Sequence, residues 1–258
     1  MVSTLAAKAI DLERRLRLRG NLVAMKFYKE RDKAAQVPGV RWPEARLTTC
    51  QRITQARLYG FTVAAAREDL PPFCSYIMGL CDTPETIADG SLVTGIWCQN
   101  QQDARKRQDA FPLVSERFET VVVAPLARDK FQPDLVLVYA APAQMMMLLN
   151  GLQYKDYELL EFIHTGGSSC ATSVARCFAT GKPSLAIPDY GERRYGHVAE
   201  DEISLALPPH YMEKAAEGLE FLAGAGLPYP IPFFGAQADP TPGWPPTYMK
   251  LFDEEQAR

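Results

Sequence analysis

Two short runs of branched and apolar residues, at positions 120–124 and 134–139, constrain the fold of this chain most strongly. Neither run alternates apolar with polar residues, which is the pattern of strands that are buried on both faces. The sequence therefore predicts an α/β (or α+β) fold in which a mixed sheet is flanked by helices. These two strands are expected at the centre of that sheet.

Length and composition set the domain organisation. The chain has 258 residues, 47% of them apolar, which is enough to bury a substantial core. We expect one compact α/β domain over residues 1–223. Residues 224–258 are rich in proline, glycine and aromatic residues, so they are expected to form a tail that wraps the body or a partner subunit of a homo-oligomer.

Capping and breaking residues predict the remaining elements. Ser3 or Thr4 begins a helix that Gly20 ends in a left-handed turn, and Gly60 closes a helix over residues 44–59. Pro142 begins a helix with three consecutive methionines, which cannot share one face, so core packing with one partly exposed member is expected. Further strands are expected over residues 21–28, 61–66, 184–187 and 203–207, and further helices over residues 73–80, 99–110, 170–180 and 208–222.

The charge balance excludes several classes of partner. The formal net charge is -3, from 28 basic and 31 acidic residues, so no broad positive field exists for nucleic acid or an anionic membrane. The charged N-terminus lacks the apolar core of a secretory signal, and Pro142 interrupts the most apolar stretch. We therefore expect a cytoplasmic protein, with no membrane partner, that binds a small molecule. The usual dinucleotide, phosphate-loop and hydrolase motifs are missing from the sequence.

The six cysteines are too sparse for a disulfide scaffold and form no Cys-x-x-Cys pair. They are available for metal binding or catalysis, or they are small buried hydrophobes. Cys170 lies at a predicted helix start, where the helix dipole would lower the pKa of its thiol. Cys177 lies two helical turns further on, too far to share an ion with Cys170, and is expected in the core.

A weak internal repeat relates two helices. Cys50 begins a segment that ends at Gly60, and Cys170 begins one that ends at Gly181; a short apolar strand follows each. The pattern suggests two related halves, in which the two cysteines occupy equivalent helix starts and converge on one central site.

Two segments near these helices predict anion binding. The turn Gly166, Gly167, Ser168 and Ser169 precedes a helix, so its backbone amides could hold a phosphate or carboxylate, or its serines could merely cap the helix.

Residues 190–196 are predicted as a loop whose Arg193 and Arg194 could grip an anionic substrate, or could pair with the acidic residues at positions 200–202. His164 is a candidate acid, base or ligand, with ordinary packing or surface exposure as the alternative.

The chain also resembles the domain of unknown function 169 family, which is widespread in archaea and anaerobic bacteria. The residues that carry the resemblance are Leu22 to Phe27, Cys50-Gln51 with Ala56-Arg57 and Gly60, Cys74 with Gly79, Pro133 to Val136, Pro142 to Met145, Cys170, Thr180 to Pro183, Gly191-Glu192-Arg193, Asp201-Glu202-Ile203 and Leu207-Pro208. The resemblance directs attention to Cys50, Cys74 and Cys170 as recurrent cysteines. Some relatives carry a further cysteine where this chain has Pro188-Asp189, so a fourth ligand would have to come from Asp189 or another residue.

Three functions follow as hypotheses. The first is an iron–sulfur or other metal protein of anaerobic metabolism, with Cys50, Cys74 and Cys170 as ligands and Arg193 holding a small organic anion for Lewis-acid or redox chemistry. Elimination, desulfuration or reduction would be the reaction. The second is a metal-free enzyme with Cys170 as nucleophile, assisted by His164. The third is a protein that binds a small ligand without changing it.

Overall fold

A computed structural model describes residues 3–231 and residue 250. Its helices are α1 (Thr4–Leu16), α2 (Arg31–Ala35), α3 (Thr49–Arg57), α4 (Pro72–Ile77), α5 (Glu85–Ala88), α6 (Gln101–Asp109), α7 (Pro142–Gln153), α8 (Arg176–Thr180), α9 (Tyr190–Tyr195) and α10 (Tyr211–Gly224). Its strands are β1 (Val23–Tyr28), β2 (Val40–Arg41), β3 (Thr62–Ala66), β4 (Thr120–Pro125), β5 (Leu135–Ala140), β6 (Ser184–Ala186) and β7 (Ile203–Leu207). A π-helical turn (Ala171–Ala175) leads directly into α8, and 3₁₀ turns follow β3 and β4.

The strands form one mixed sheet in the order β2-β3-β4-β1-β5-β7-β6. Strand β1 runs antiparallel to both of its neighbours, pairing Met25 with Val123 of β4 and Ala24 with Val136 of β5. Only β2 and β3 pair in parallel within the described part of the chain. The α/β class with a mixed sheet is confirmed, and the two strands predicted at its centre flank β1.

Helices cover both faces of the sheet, which explains why β4 and β5 are buried along their whole length. On one face Met25 and Val123 pack with Ile53 of α3 and Val174 of the π-helical turn. On the other face Ala24 and Val136 pack with residues of α1, α7 and α10. The methionine run behaves as expected, because Met145 and Met147 are in the core while Met146 is 42% exposed.

The strand order is symmetric about the β1–β5 pair when the edge strand β2 is set aside. Strands β4 and β3 follow β1 on one side, and β7 and β6 follow β5 on the other. Helix α3 leads into β3 as the helical segment 171–180 leads into β6, and left-handed glycines follow both helices, Gly60 at φ 71° and Gly181 at φ 65°. This topology agrees with two related halves, and it places the two helices on the same face of the sheet.

Three local predictions are wrong. Helix α1 ends at Arg17, which itself takes the left-handed conformation (φ 52°), whereas Gly20 provides the close approach of Arg57, whose Cγ would lie 2.7 Å from a Cβ there. Helix α3 begins after Thr48 instead of near residue 44, because Thr48 and Gln51 form a capping box. Residues 190–195 form helix α9 instead of a loop, because the Asp189 carboxylate caps it.

No helix within residues 3–231 is long and apolar enough to cross a membrane. Of the tail predicted over residues 224–258, the structure describes residues 224–231 and residue 250. The rest of the tail, and its predicted role in oligomer contacts, lies outside the described residues.

Candidate functional site

Cys50 occupies the first turn of α3. The Thr48 hydroxyl, which caps the helix, lies 2.9 Å from Cys50 Sγ, and the carbonyl oxygen of Gly191 lies 4.0 Å from the same sulfur. Burial raises the pKa of the Cys50 thiol to about 12; the Thr48 hydrogen bond opposes this, while nearby negative charge at Glu192 and Cys74 adds to it. In the protein without a bound cation, Cys50 is therefore a neutral thiol.

Cys74 is brought to the same place by α4. Burial raises the pKa of its thiol, and interactions with the backbone and side chain of Thr49 partly offset that effect. Because Thr49 immediately precedes Cys50, the interaction sets Cys74 beside the start of α3. Pro71 and Pro72 fix this position by starting α4 directly after the 3₁₀ turn.

Cys170 follows the glycine-serine turn. Ser168 adopts a left-handed conformation (φ 38°), and its carbonyl accepts hydrogen bonds from the amides of Ala171 and Thr172 at 3.0 and 3.1 Å. Part of residue Cys170 is accessible, but its thiol is enclosed by protein atoms. Burial, followed by the charges of Glu192, Cys50 and Cys74, raises the pKa of that thiol well above its ordinary value. The expected lowering by the helix dipole is wrong, because desolvation and neighbouring acidic groups outweigh it.

These three thiols act on one another electrostatically, so the structure brings together the three cysteines that the sequence singled out. Within residues 3–231 and residue 250, however, no three His, Cys, Asp or Glu side chains are arranged to hold a single metal ion. Cys177 is 2% exposed in the core, as expected. Cys81 lies apart, with its thiol 3.8 Å from the carbonyl oxygen of Pro72.

Asp189 connects the turn before Cys170 to helix α9. Its Oδ2 accepts hydrogen bonds from the amide and hydroxyl of Ser169 at 2.7 and 3.0 Å, and its Oδ1 accepts from the amide of Glu192 at 2.9 Å. The amide of Asp189 donates in turn to Ser169 Oγ at 2.6 Å. A carboxylate of the chain itself therefore uses the Ser169 amide that was expected to bind a substrate anion.

Glu192 is the most buried acidic group beside the cysteines, at 3% exposure. The Tyr139 hydroxyl donates a hydrogen bond to its Oε1. Burial raises the pKa of Glu192, while the hydrogen bond from Tyr139 and the nearby Ser169 hydroxyl lower it. Tyr139 is itself held neutral, because burial and the charge of Glu192 raise the pKa of its phenol well above the ordinary value.

A buried cation lies behind this acidic group but is already paired. The Arg57 guanidinium lies over the Tyr139 ring, with Cζ 4.6 Å from the ring centroid, and forms an ion pair with Glu202. The charge of Arg57 still lowers the pKa values of Glu192 and of the Tyr139 phenol, so it offsets part of the negative charge of the acidic groups beside the thiols.

Other predicted site residues have different positions. Arg193 turns inward and donates to the backbone carbonyls of Ala199 and Glu202. Its contact with a substrate stays a prediction. His164 is exposed and has no hydrogen bond or ion pair among the described residues. Arg194 stays on the surface, where it donates to the Tyr190 hydroxyl at 3.2 Å.

A family model described as uncharacterised ArCR, the domain of unknown function 169, matches residues 11–218. The chain belongs to this family. It is also similar to the uncharacterised protein MJ0308 of Methanocaldococcus jannaschii, with 26% identity over 202 residues that cover 77% of this chain and 86% of that protein. No solved structure matches the chain.

In this member of the ArCR family, a surface that we call the aromatic rim contacts the turn before Cys170. It consists of Trp97, Arg107, Tyr190 and Arg194. The rings of Trp97 and Tyr190 are 53% and 60% exposed, and their centroids lie 5.9 Å apart. Arg107 reaches from α6 to donate to the carbonyl of Gly166 at 3.2 Å, directly beside the turn before Cys170. Neither rim guanidinium forms an ion pair within the described residues.

Sequence reasoning missed Glu192, Tyr139 and the rim residues Trp97 and Arg107 as parts of the site. Glu192 lies in the Gly191-Glu192-Arg193 motif, in which the sequence favours Arg193 because arginine is the more common anion-binding residue. Tyr139 ended a strand that was interpreted only as core. No local signal marks Arg107, since only the packing of α6 against the glycine-serine turn brings it there.

Proposed function

We propose that this protein is an iron–sulfur enzyme that holds its cluster through Cys50, Cys74 and Cys170 and acts on a small organic anion. The observation that carries the proposal is that three buried thiols from three separate segments lie near enough to one another, and to Glu192, for their charges to interact. Each thiol has a raised pKa, so the site favours either protons or a bound cation. A metal centre would satisfy all three sulfurs as thiolates.

The available donors fit a cluster better than a single ion. Thiolates are the usual ligands of iron–sulfur clusters. In a cluster each thiolate binds a different iron, so its ligands lie further apart than those of one ion. The donors in this site are three thiols that interact electrostatically. The buried Glu192 Oε2, which has no hydrogen-bond partner among the described residues, provides a further donor.

Separate groups of the chain would bind the substrate and exclude water from the cluster. A cluster of this kind supplies Lewis-acid or redox chemistry. The two unpaired guanidiniums of the rim, Arg107 and Arg194, would attract a carboxylate or phosphate, and the exposed rings of Trp97 and Tyr190 would cover its apolar part. The buried side of the site, with Tyr139 and Glu192, would exclude water.

All six cysteines are free thiols, which supports a reducing cellular compartment. We accordingly propose a cytoplasmic protein of anaerobic metabolism. The cysteine-nucleophile alternative has less support, because the pKa of Cys170 is raised and His164 makes no contact with it.

The test is to purify the protein without oxygen and measure iron, sulfide and the visible absorption spectrum. We expect brown protein, and we expect Cys170→Ser and Cys74→Ser to lose most of the iron. Cys177→Ser and Cys81→Ser are matched controls outside the site and should retain it. Colourless wild-type protein that takes up no iron on reconstitution would overturn the proposal. If that protein still bound an organic anion unchanged, the non-catalytic binding function would replace it.

A further inference from the structure

The two oxygens of the Glu192 carboxylate have different environments. Oε1 accepts the hydrogen bond of the Tyr139 hydroxyl, whereas Oε2 has no partner among the described residues. The Ser169 hydroxyl is close enough to affect Glu192, but its single proton is donated to Asp189 at 3.0 Å. Leaving a buried carboxylate oxygen unpaired is costly, so Oε2 is expected to have a partner that residues 3–231 do not supply.

The side chain of Glu192 lies against Cys50. A Cβ placed on Gly196 would be 3.0 Å from the Cβ of Cys50 and 3.4 Å from the Cγ of Glu192, so both side chains border one point. The carbonyl of Gly191, the residue before Glu192, also lies 4.0 Å from Cys50 Sγ. Helix α9 therefore sets the side chain of Glu192 beside Cys50, and the charge of Glu192 acts on the Cys50 and Cys170 thiols.

Asp189, which the sequence offered as the replacement for a missing cysteine, is already committed. Both of its oxygens accept hydrogen bonds, from Glu192 on one side and from Ser169 on the other. Moving it to a metal would uncap α9 and release the turn before Cys170. Glu192 can act as a ligand without such a loss, because only its bonded Oε1 is needed to hold it in place.

We propose that Glu192 is the fourth ligand of the cysteine site, binding through Oε2, and that Tyr139 is a positioning residue that orients the carboxylate. The inference rests on the proposed function. A carboxylate is a harder and more readily exchanged donor than a thiolate, so Glu192 would hold its iron less tightly than the three cysteines would hold theirs. Hydrogen bonding from outside the ligand shell commonly orients ligands in this way.

The experiment compares anaerobically reconstituted wild type, Glu192→Gln, Glu192→Cys and the control Asp189→Asn. We measure iron per chain, the rate of iron loss to a chelator, and the Mössbauer spectrum of ⁵⁷Fe-loaded protein. Folding of each variant is checked by circular dichroism. Wild type should show one iron subsite distinct from the thiolate-bound irons. Glu192→Gln should lose iron on the order of tenfold faster or more.

The Glu192→Cys variant provides the second readout. It should retain iron and lose the distinct subsite, because all four ligands would then be sulfur. If wild type binds iron but has no distinct subsite, or if Glu192→Gln retains iron as well as wild type does, the fourth-ligand assignment is wrong while the cluster proposal stands. Loss of the distinct iron subsite in Asp189→Asn, with the subsite kept in Glu192→Gln, would assign the ligand to Asp189. Wild type without iron would overturn the proposed function itself.

Discussion

Arg57 and Glu202 form an ion pair in which the side chains are only 3% and 2% exposed. The pair joins the end of α3 to the residue before β7, and the Arg57 guanidinium lies over the Tyr139 ring. A second pair, Arg19 with Asp201, is adjacent in sequence to Glu202 but is 54% and 53% exposed. The two pairs therefore compare a buried and an exposed ion pair in one region of the fold.

Arg57→Met should destabilise the protein by about 3–5 kcal/mol, because it leaves the Glu202 carboxylate buried and unpaired. Arg19→Met should cost less than about 1 kcal/mol, because water solvates Asp201 after the loss. Urea unfolding of the metal-free protein measures both. Equal effects for the two variants would show that burial does not determine the contribution of Arg57.

The metal-free protein should lose stability in alkali. Burial raises the pKa of the core thiol Cys177 to about 12, from 9.0 for an ordinary cysteine. Between these two pKa values the folded protein keeps the Cys177 proton while the unfolded chain loses it. The contribution of this thiol to the free energy of unfolding is therefore fully present below pH 9 and declines between pH 9 and about pH 12.

Cys177→Ala removes this contribution to the pH dependence. From pH 8 to pH 10 the free energy of unfolding should fall less for Cys177→Ala than for wild type. The difference should be about 1.4 kcal/mol, the free energy that corresponds to one pKa unit. Urea unfolding at the two pH values gives the difference. Identical slopes for the two proteins would mean that the folded thiol titrates normally.

Gly196→Ala should disturb the site directly. Its new Cβ would lie 2.6 Å from the carbonyl oxygen of Glu192 and 3.0 Å from the Cβ of Cys50. We expect about 1–3 kcal/mol of destabilisation and a lower iron content. Gly224→Ala at the end of α10 meets nothing within 4 Å and should stabilise the protein by up to about 1 kcal/mol. A neutral effect of Gly196→Ala in both measurements would argue against the close packing of Cys50 and α9.

The aromatic rim should bind planar organic anions. Equilibrium dialysis of 2-naphthoate against wild type, Arg107→Gln and Arg194→Gln tests this. Each substitution should raise the Kd about tenfold, roughly 1.4 kcal/mol, because an ion-paired hydrogen bond is lost. The neutral 2-naphthylmethanol should be insensitive to both changes, and Arg14→Gln, remote on α1, should leave naphthoate binding unchanged. Equal losses for the neutral probe would indicate an apolar surface without anion selectivity.

The sequence by itself determined the elements whose cause is local. The unbroken apolar runs of β4 and β5 require burial on both faces, and this predicted a sheet covered by helices. The repeat around Cys50 and Cys170 predicted two related halves, each with its own helix and following strand, whereas the strand order came only from the tertiary structure. Spacing also separated Cys177 from the site, since two helical turns cannot be bridged by one ion.

Only the tertiary structure decided which groups surround the cysteines. Arg193 and Glu192 are neighbours in one motif, yet the helix capped by Asp189 turns the arginine to backbone carbonyls and the carboxylate to the Tyr139 hydroxyl. The pKa of Cys170 likewise depends on burial and on charges from α3, α4 and α9, which outweigh the local helix end. Desolvation and long-range charge depend on what lies nearby in space, and no pattern of adjacent residues encodes them.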